Sequence, residues 1–245
     1  MSKQFWAVII VIVLILGGIF FITNNKSSST TSSAGSGKAS HHVEGEGTDH
    51  INLVEYGDYE CPYCGEYFST VKQVQSIYNT QMTFQFVNFP LVSIHQNAFA
   101  GARAAEAAAL QGKFWQMHDL LYEENQVYYD SNETSSTWVG ASDPETYFDT
   151  YASQLGLNVK TFEQDYASSA VNDTINADMA AGNKLGIDAT PTFYLDGKQV
   201  QFDDSVSAFE KVINAAITAQ GDSIPAAAVS AGTSTSGGTT TQTKK

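Results

Sequence analysis

The chain holds only two cysteines in 245 residues, and they stand three apart in ECPYCGEYF, residues 60–68. A Cys-x-x-Cys pair serves as half of a zinc site, as a c-type haem attachment, or as a dithiol that opens and closes as a disulfide. Haem attachment needs a histidine directly after the second cysteine, where this chain has Gly65. Structural zinc needs four N or S ligands, usually from a second pair at matching spacing. There is no second cysteine pair, and His41, His42, His50, His95 and His118 make no H-x(3–5)-H pair. The sequence therefore points to no metal. A redox dithiol needs only these two residues, on a particular piece of backbone.

The flanks describe that backbone. INLVEY, residues 51–56, is apolar and β-branched as a buried strand is, and Gly57 and Asp58 break it. Pro62 suits the first turn of a helix, and Tyr67, Phe68, Val71, Val74 and Tyr78 recur at helical spacing. Cys61 is thus expected at a helix N-terminus, where unpaired N–H groups and the helix dipole lower a thiol below its usual ~8.5. Cys64, one helical turn inward, faces it closely enough to close a disulfide. Cys61 is read as the attacking sulfur and Cys64 as the resolving one. Glu60 and Glu66 flank the pair and are expected to point into water, where they oppose the thiolate only weakly. Glu55 shares its alternating set with Ile51 and Leu53, which predicts a carboxylate in the core beneath the dithiol, exchanging a proton with Cys64. The plainer alternative is a strand-end glutamate in solvent.

Beyond this unit, MTFQFVNF, residues 82–89, alternates as a strand and is closed by Pro90. From Ile94 to about Ala181 the pattern is mostly helical. TFYL and KQVQF read as a hairpin turning at Asp196 and Gly197, and SVSAFEKVINAAITAQ as an amphipathic closing helix. Pro191 directly precedes the first hairpin strand, where its missing N–H leaves a neighbouring edge unpaired. In the helical stretch, Tyr128, Tyr129 and Trp138 are read as packing on adjacent helices rather than lining a peptide groove. His95 and His118 are read as hydrogen-bonded structural histidines.

At VEYGDYECPYC, FQFVNFPL, GKFWQMHDLLYEEN, YASQLGL and GIDATPTFYLDGKQV the chain resembles the thioredoxin superfamily, and within it the DsbA-like thiol-disulfide oxidoreductases with a helical insertion. The resemblance covers about residues 49–221, with the insertion at about 94–186. It implies an α/β thioredoxin fold with an inserted helical domain. It also implies active-site cysteines at Cys61 and Cys64, a buried acid at Glu55, and a cis-proline at Pro191 packed against the disulfide. The backbone of Thr190 would then pair with an extended substrate peptide beside Pro62 and Tyr63, by strand addition. Tyr63 stands where strongly oxidising relatives carry a histidine between the cysteines, which implies a milder oxidant.

Residues 5–22 form an uncharged apolar run of eighteen, near the lower limit for crossing a bilayer, and are expected to be an uncleaved signal anchor ahead of the domain. A cleaved signal peptide is the competing reading. Residues 23–48, rich in Ser, Thr and Gly, are expected to form a flexible stem, and residues 222–245 a disordered tail. From Asp49 to Asp222 there are seven Lys and Arg against twenty-four Asp and Glu, a net of 7 − 24 = −17. Such a surface disfavours nucleic acid, whose phosphates need clustered Lys and Arg. Together these features predict a membrane-anchored enzyme, monomeric and without a cofactor. Its catalytic domain would lie on the extracytoplasmic side, where disulfides persist, oxidising exported proteins and recycled by a membrane redox partner. A reductase or isomerase of the same fold and a non-enzymatic holdase for secreted chains are the alternatives.

Overall fold

A computed structural model describes residues 37–132, 136–201 and 203–228. The signal anchor expected at residues 5–22 lies outside the described residues. Among the described residues no helix is long and apolar enough to cross a membrane.

The centre of the molecule is a sheet ordered β1-β3-β2-β4-β5, built from β1 (His42–Glu44), β2 (Ile51–Gly57), β3 (Met82–Asn88), β4 (Thr192–Leu195) and β5 (Lys198–Val200). β2 and β3 run parallel, from Ile51 against Met82 to Gly57 against Asn88. A parallel pair needs a crossover, supplied by helix α1 (Pro62–Tyr78). β4 joins the other side of β2 antiparallel, and β5 follows it through the turn at Asp196 and Gly197, both at positive φ as a tight two-residue hairpin requires. Ile51, Leu53 and Glu55 alternate on the buried face of β2. On α1, Phe68, Val71, Val74 and Tyr78 are buried, each burial of this kind contributing about 1.5–3 kcal/mol.

Between β3 and β4 lie α2 (Ala98–Ala109), α3 (Phe114–Asp130), α4 (Glu145–Gln154), α5 (Val159–Tyr166) and α6 (Ser169–Lys184); α7 (Val206–Gln220) closes the fold. The alanine-rich α2 packs against α3, α5 and α6. Its Gly101 admits the Trp138 ring, 3.0 Å from where a Cβ would stand. Trp138 is fully buried and donates its indole N–H to the Leu121 carbonyl, so it is a core residue and lines no groove.

The boundary of the stem expected at residues 23–48 needs correction. Ser40 gives its N–H and its hydroxyl to Asp178, each at 2.7 Å, and residues 42–44 pair with β3. The His42 ring stacks on Phe114 at 3.4 Å, and its Nε2 lies 2.8 Å from a Glu106 carboxylate oxygen. Composition alone suggested flexibility; partners 64 and 138 residues away supply order that composition cannot reveal. At the other end, residues 226–228 form a helical turn with Ala228 buried, so the fold reaches past residue 222. Residues 23–36 and 229–245 of the expected stem and tail lie outside the described residues.

Candidate active site

Cys61 ends the loop leaving β2 and caps α1 in extended backbone (φ −69°, ψ 125°), with Pro62 as the first helical residue. Its own N–H is taken by the Asp58 carbonyl at 3.1 Å. Cys64 lies one turn on, fully buried, while Cys61 is 3 % exposed, and both are thiols. Opposite them the chain enters β4 through a cis Thr190–Pro191 bond, and the Cys61 thiol donates to the Thr190 carbonyl at 3.4 Å. β4 pairs directly with β2, so the strand that leads to the dithiol and the strand that follows the proline are held in register by the sheet. Beside this contact is a cavity of about 420 Å³ lined by Tyr63, Tyr67, Thr190, Pro191, Phe193 and Val200. Tyr63 is 62 % exposed at its mouth, whereas Pro62 is taken up in the first turn of α1.

The two sulfurs are electrostatically unlike. Cys61 is lowered to about 6, first by a hydrogen bond from the Cys64 thiol. Burial opposes this; the Thr190 side chain, whose hydroxyl has no other hydrogen-bond partner, and the Cys64 backbone N–H add to the lowering. The helix N-terminus thus contributes through one N–H, and the partner cysteine contributes more, a cause that helix position alone does not suggest. Cys64 is pushed well above the ordinary thiol range by burial, by donating to Cys61, by the Cys61 charge and by Glu55. Glu55, 3 % exposed, is raised to about 8 by burial and by the Cys61 charge. A carboxyl raised that far holds its proton at neutral pH next to a thiol pair.

Glu66 is exposed, but Glu60 is not in water. It is 5 % exposed, accepts the N–H groups of Asn97 and Gly140, and burial raises its carboxyl. The reason is the loop after β3, which folds over residues 58–60. Asp58, read from the sequence only as a strand breaker, is 1 % exposed. It accepts from the Glu60 N–H at 2.8 Å and the Leu91 N–H at 2.8 Å, and pairs with His95 Nδ1 at 2.7 Å. No periodicity flags such a residue, since its partners come from a loop some thirty residues on.

Helix α3 grips the dithiol loop from the insertion side. Asn125 donates its amide to the Tyr59 and Cys61 carbonyls at 2.9 and 3.3 Å. Gln126 donates to the Gly65 carbonyl at 2.7 Å, and the Tyr129 hydroxyl to the Glu60 carbonyl at 3.2 Å. His118, buried and kept neutral by that burial, meets the Tyr59 hydroxyl at 3.0 Å. Asn125 and Gln126 carried no signal in the sequence, being polar residues within a helical pattern. Among the described residues no group of three or more His, Cys, Asp or Glu side chains is placed to hold a metal ion.

A helix-capping Cys-x-x-Cys faced by a cis-proline, on a sheet of this order with helices inserted between β3 and β4, defines a thioredoxin-fold protein with a helical insertion. The chain belongs to the family described as Thioredoxin, whose model matches residues 35–215. Among solved structures, BdbD from Bacillus subtilis matches at TM-score 0.61 and 21 % identity, over 74 % of this chain and 97 % of that one. A thioredoxin-like oxidoreductase from Silicibacter pomeroyi DSS-3 matches at 0.58 and 24 %, over 73 % and 92 %. Wolbachia pipientis alpha-DsbA1 matches at 0.58 and 19 %, over 74 % and 92 %. Among curated proteins, the Na(+)/H(+) antiporter NhaA 1 of Mycolicibacterium gilvum is 33 % identical over 160 residues, 64 % of this chain and 24 % of that protein. The chain spans about a quarter of the length of such curated relatives.

Proposed function

We propose that this chain is a protein thiol-disulfide oxidoreductase that oxidises cysteine pairs in exported proteins. The observation that carries the reading is the opposed ionisation of two adjacent sulfurs, Cys61 lowered to about 6 and Cys64 pushed far up, beside the Thr190–Pro191 backbone. Starting from the disulfide form, a client thiolate attacks the Cys61 sulfur. The Cys61–Cys64 bond breaks, and its electron pair leaves on Cys64. Cys64 holds a charge poorly in its buried position, and the protonated Glu55 is the acid placed to neutralise it. A second client thiolate then attacks the client sulfur of the mixed disulfide and expels Cys61 as a stable thiolate. Two electrons have passed from the client to the dithiol. Stabilising the reduced form in this way makes the disulfide oxidising.

The extended client lies along Thr190 in this reading, with its side chains in the cavity walled by Tyr63, Tyr67 and Pro191. The apolar run at residues 5–22 would hold the domain on the extracytoplasmic face, where a membrane redox partner accepts the electrons. Names among the fold relatives, a thiol-disulfide exchange protein and a protein-disulfide isomerase, support the chemistry.

The test is the Cys61–Cys64 reduction potential in a glutathione buffer, together with oxidation of a reduced two-cysteine peptide by the disulfide form. A potential well above that of thioredoxin, about −270 mV, and one peptide disulfide per enzyme consumed are expected. A potential at or below that value removes the oxidising role, and peptide protection that survives replacement of both cysteines by serine would mark a holdase instead.

A further inference from the structure

The loop of residues 91–97 is fastened to the dithiol loop at two buried carboxylates. Asp58 takes the Leu91 N–H and His95 Nδ1, and Glu60 takes the Asn97 N–H. Asp58 also holds Cys61 directly, its carbonyl accepting the Cys61 N–H. His95 is therefore one residue removed from the reactive sulfur, and its side chain is 14 % exposed, open enough to exchange protons with water. The Asp58 carboxylate works against a thiolate at Cys61, because two negative charges are brought together with little water between them.

We propose that His95, through its ion pair with Asp58, is a positioning residue that adjusts the charge state of Cys61. While the imidazolium is present it neutralises the Asp58 carboxylate and the thiolate is tolerated; when it loses its proton the carboxylate's repulsion reaches the sulfur. The groups facing His95 are Asp58, Cys61 and Glu60, all negative when ionised, and each favours the imidazolium. The hydrogen bond to Asp58 is the largest of these influences, and burial opposes them. Since interaction between two titrating groups is mutual, a histidine that responds to the Cys61 charge must stabilise that charge in return. The Cys64 thiol is the largest single cause of the lowering at Cys61, so His95 trims the value rather than creating it.

This inference rests on the dithiol chemistry proposed above but is read out by titration, not by turnover. Iodoacetamide alkylation of Cys61 in the reduced, purified chain reports the thiolate fraction. His95→Gln removes the cation while keeping a donor for Asp58. The variant should react about two- to threefold more slowly near pH 5.5 and at the wild-type rate near pH 9, where Cys61 is fully ionised in both. Loss of packing would not confine the change to low pH. The reciprocal measurement needs no change at His95: its imidazole proton resonance, followed by NMR, should titrate at lower pH in Cys61→Ser than in the reduced wild type. Equal low-pH alkylation in wild type and His95→Gln, or an unmoved His95 titration in Cys61→Ser, overturns the proposal. A chain that shows both effects yet oxidises no client peptide would sink the enzymatic reading and leave this one standing.

Discussion

Asn125 occupies the space that any side chain on Gly65 would need. An ideal Cβ at Gly65 would lie 2.1 Å from Asn125 Oδ1 and 3.0 Å from its Cγ. Asn125 cannot swing aside cheaply, because its amide holds the Tyr59 and Cys61 carbonyls. The glycine after the dithiol is thus the complement of a residue sixty positions away, on the helical insertion.

Gly65→Ala should therefore destabilise the chain although alanine is the better helix former. Propensity returns about 1 kcal/mol, while forcing a methyl into an occupied core site costs about 1–3 kcal/mol. A net loss of about 1 kcal/mol, and at most about 2 kcal/mol, is expected in urea unfolding. Adding Asn125→Ala should recover part of it, because the clash is gone and the two effects are not additive. A Gly65→Ala chain as stable as wild type would show that the insertion does not press on the dithiol loop.

Cys64→Ala removes the thiol that contributes most to the lowering of Cys61. What remains is the cost of burial, set against Thr190 and one backbone N–H. The Cys61 thiolate, followed by its absorbance near 240 nm, should then titrate well above about 6, toward the ordinary value of about 8.5. Retention of the wild-type titration would return the lowering to the helix terminus.

The thioredoxin-like core was legible because its signals are local. A strand, a helix-capping Cys-Pro, period-3.6 apolar residues and an Asp-Gly hairpin are each written within a few positions, and Glu55 betrayed itself by parity with Ile51 and Leu53. Asp58, Glu60 and Asn125 were not legible, because what defines them is a partner in a distant loop or helix. The same holds for Ser40 and His42, where a polar stretch is ordered by buried carboxylates on α6 and α2.

Glu55→Gln should change how stability depends on pH. Folding raises the Glu55 carboxyl from 4.5 to about 8, so between those values the native state holds a proton that the unfolded chain has released. Stability from this group therefore falls as pH rises through that window, by up to several kcal/mol, at about 1.4 kcal/mol per pKa unit. Glutamine has no proton to lose. Unfolding of the variant at pH 5 and pH 8.5 should show a smaller decline than wild type, while peptide oxidation at neutral pH slows tenfold or more if Glu55 serves Cys64. Parallel pH profiles for the two proteins would place Glu55 in contact with solvent.

The ordered start of the domain predicts the consequence of cutting it away. A chain beginning at Asp49 lacks Ser40, which gives Asp178 two hydrogen bonds, and His42, which pairs with Glu106 and stacks on Phe114. Asp178 is fully buried, and Glu106 is 6 % exposed; Asn88 bonds both. Removing the arm leaves these carboxylates under-paired or opens them to water, and it strips β1 from the edge of β3. A buried ionisable group that loses a partner costs about 3–5 kcal/mol, less where water can enter. A loss of about 2–4 kcal/mol relative to a chain beginning at Gly37 is therefore expected in urea unfolding. Substituting Ser40 by alanine in the longer chain should reproduce about a quarter to a half of it, since the hydroxyl bond to Asp178 is lost while the backbone N–H of residue 40 still donates to that carboxylate. If the two chains unfold at the same urea concentration, residues 37–48 contribute nothing to the fold, and the stem reaches residue 48 after all.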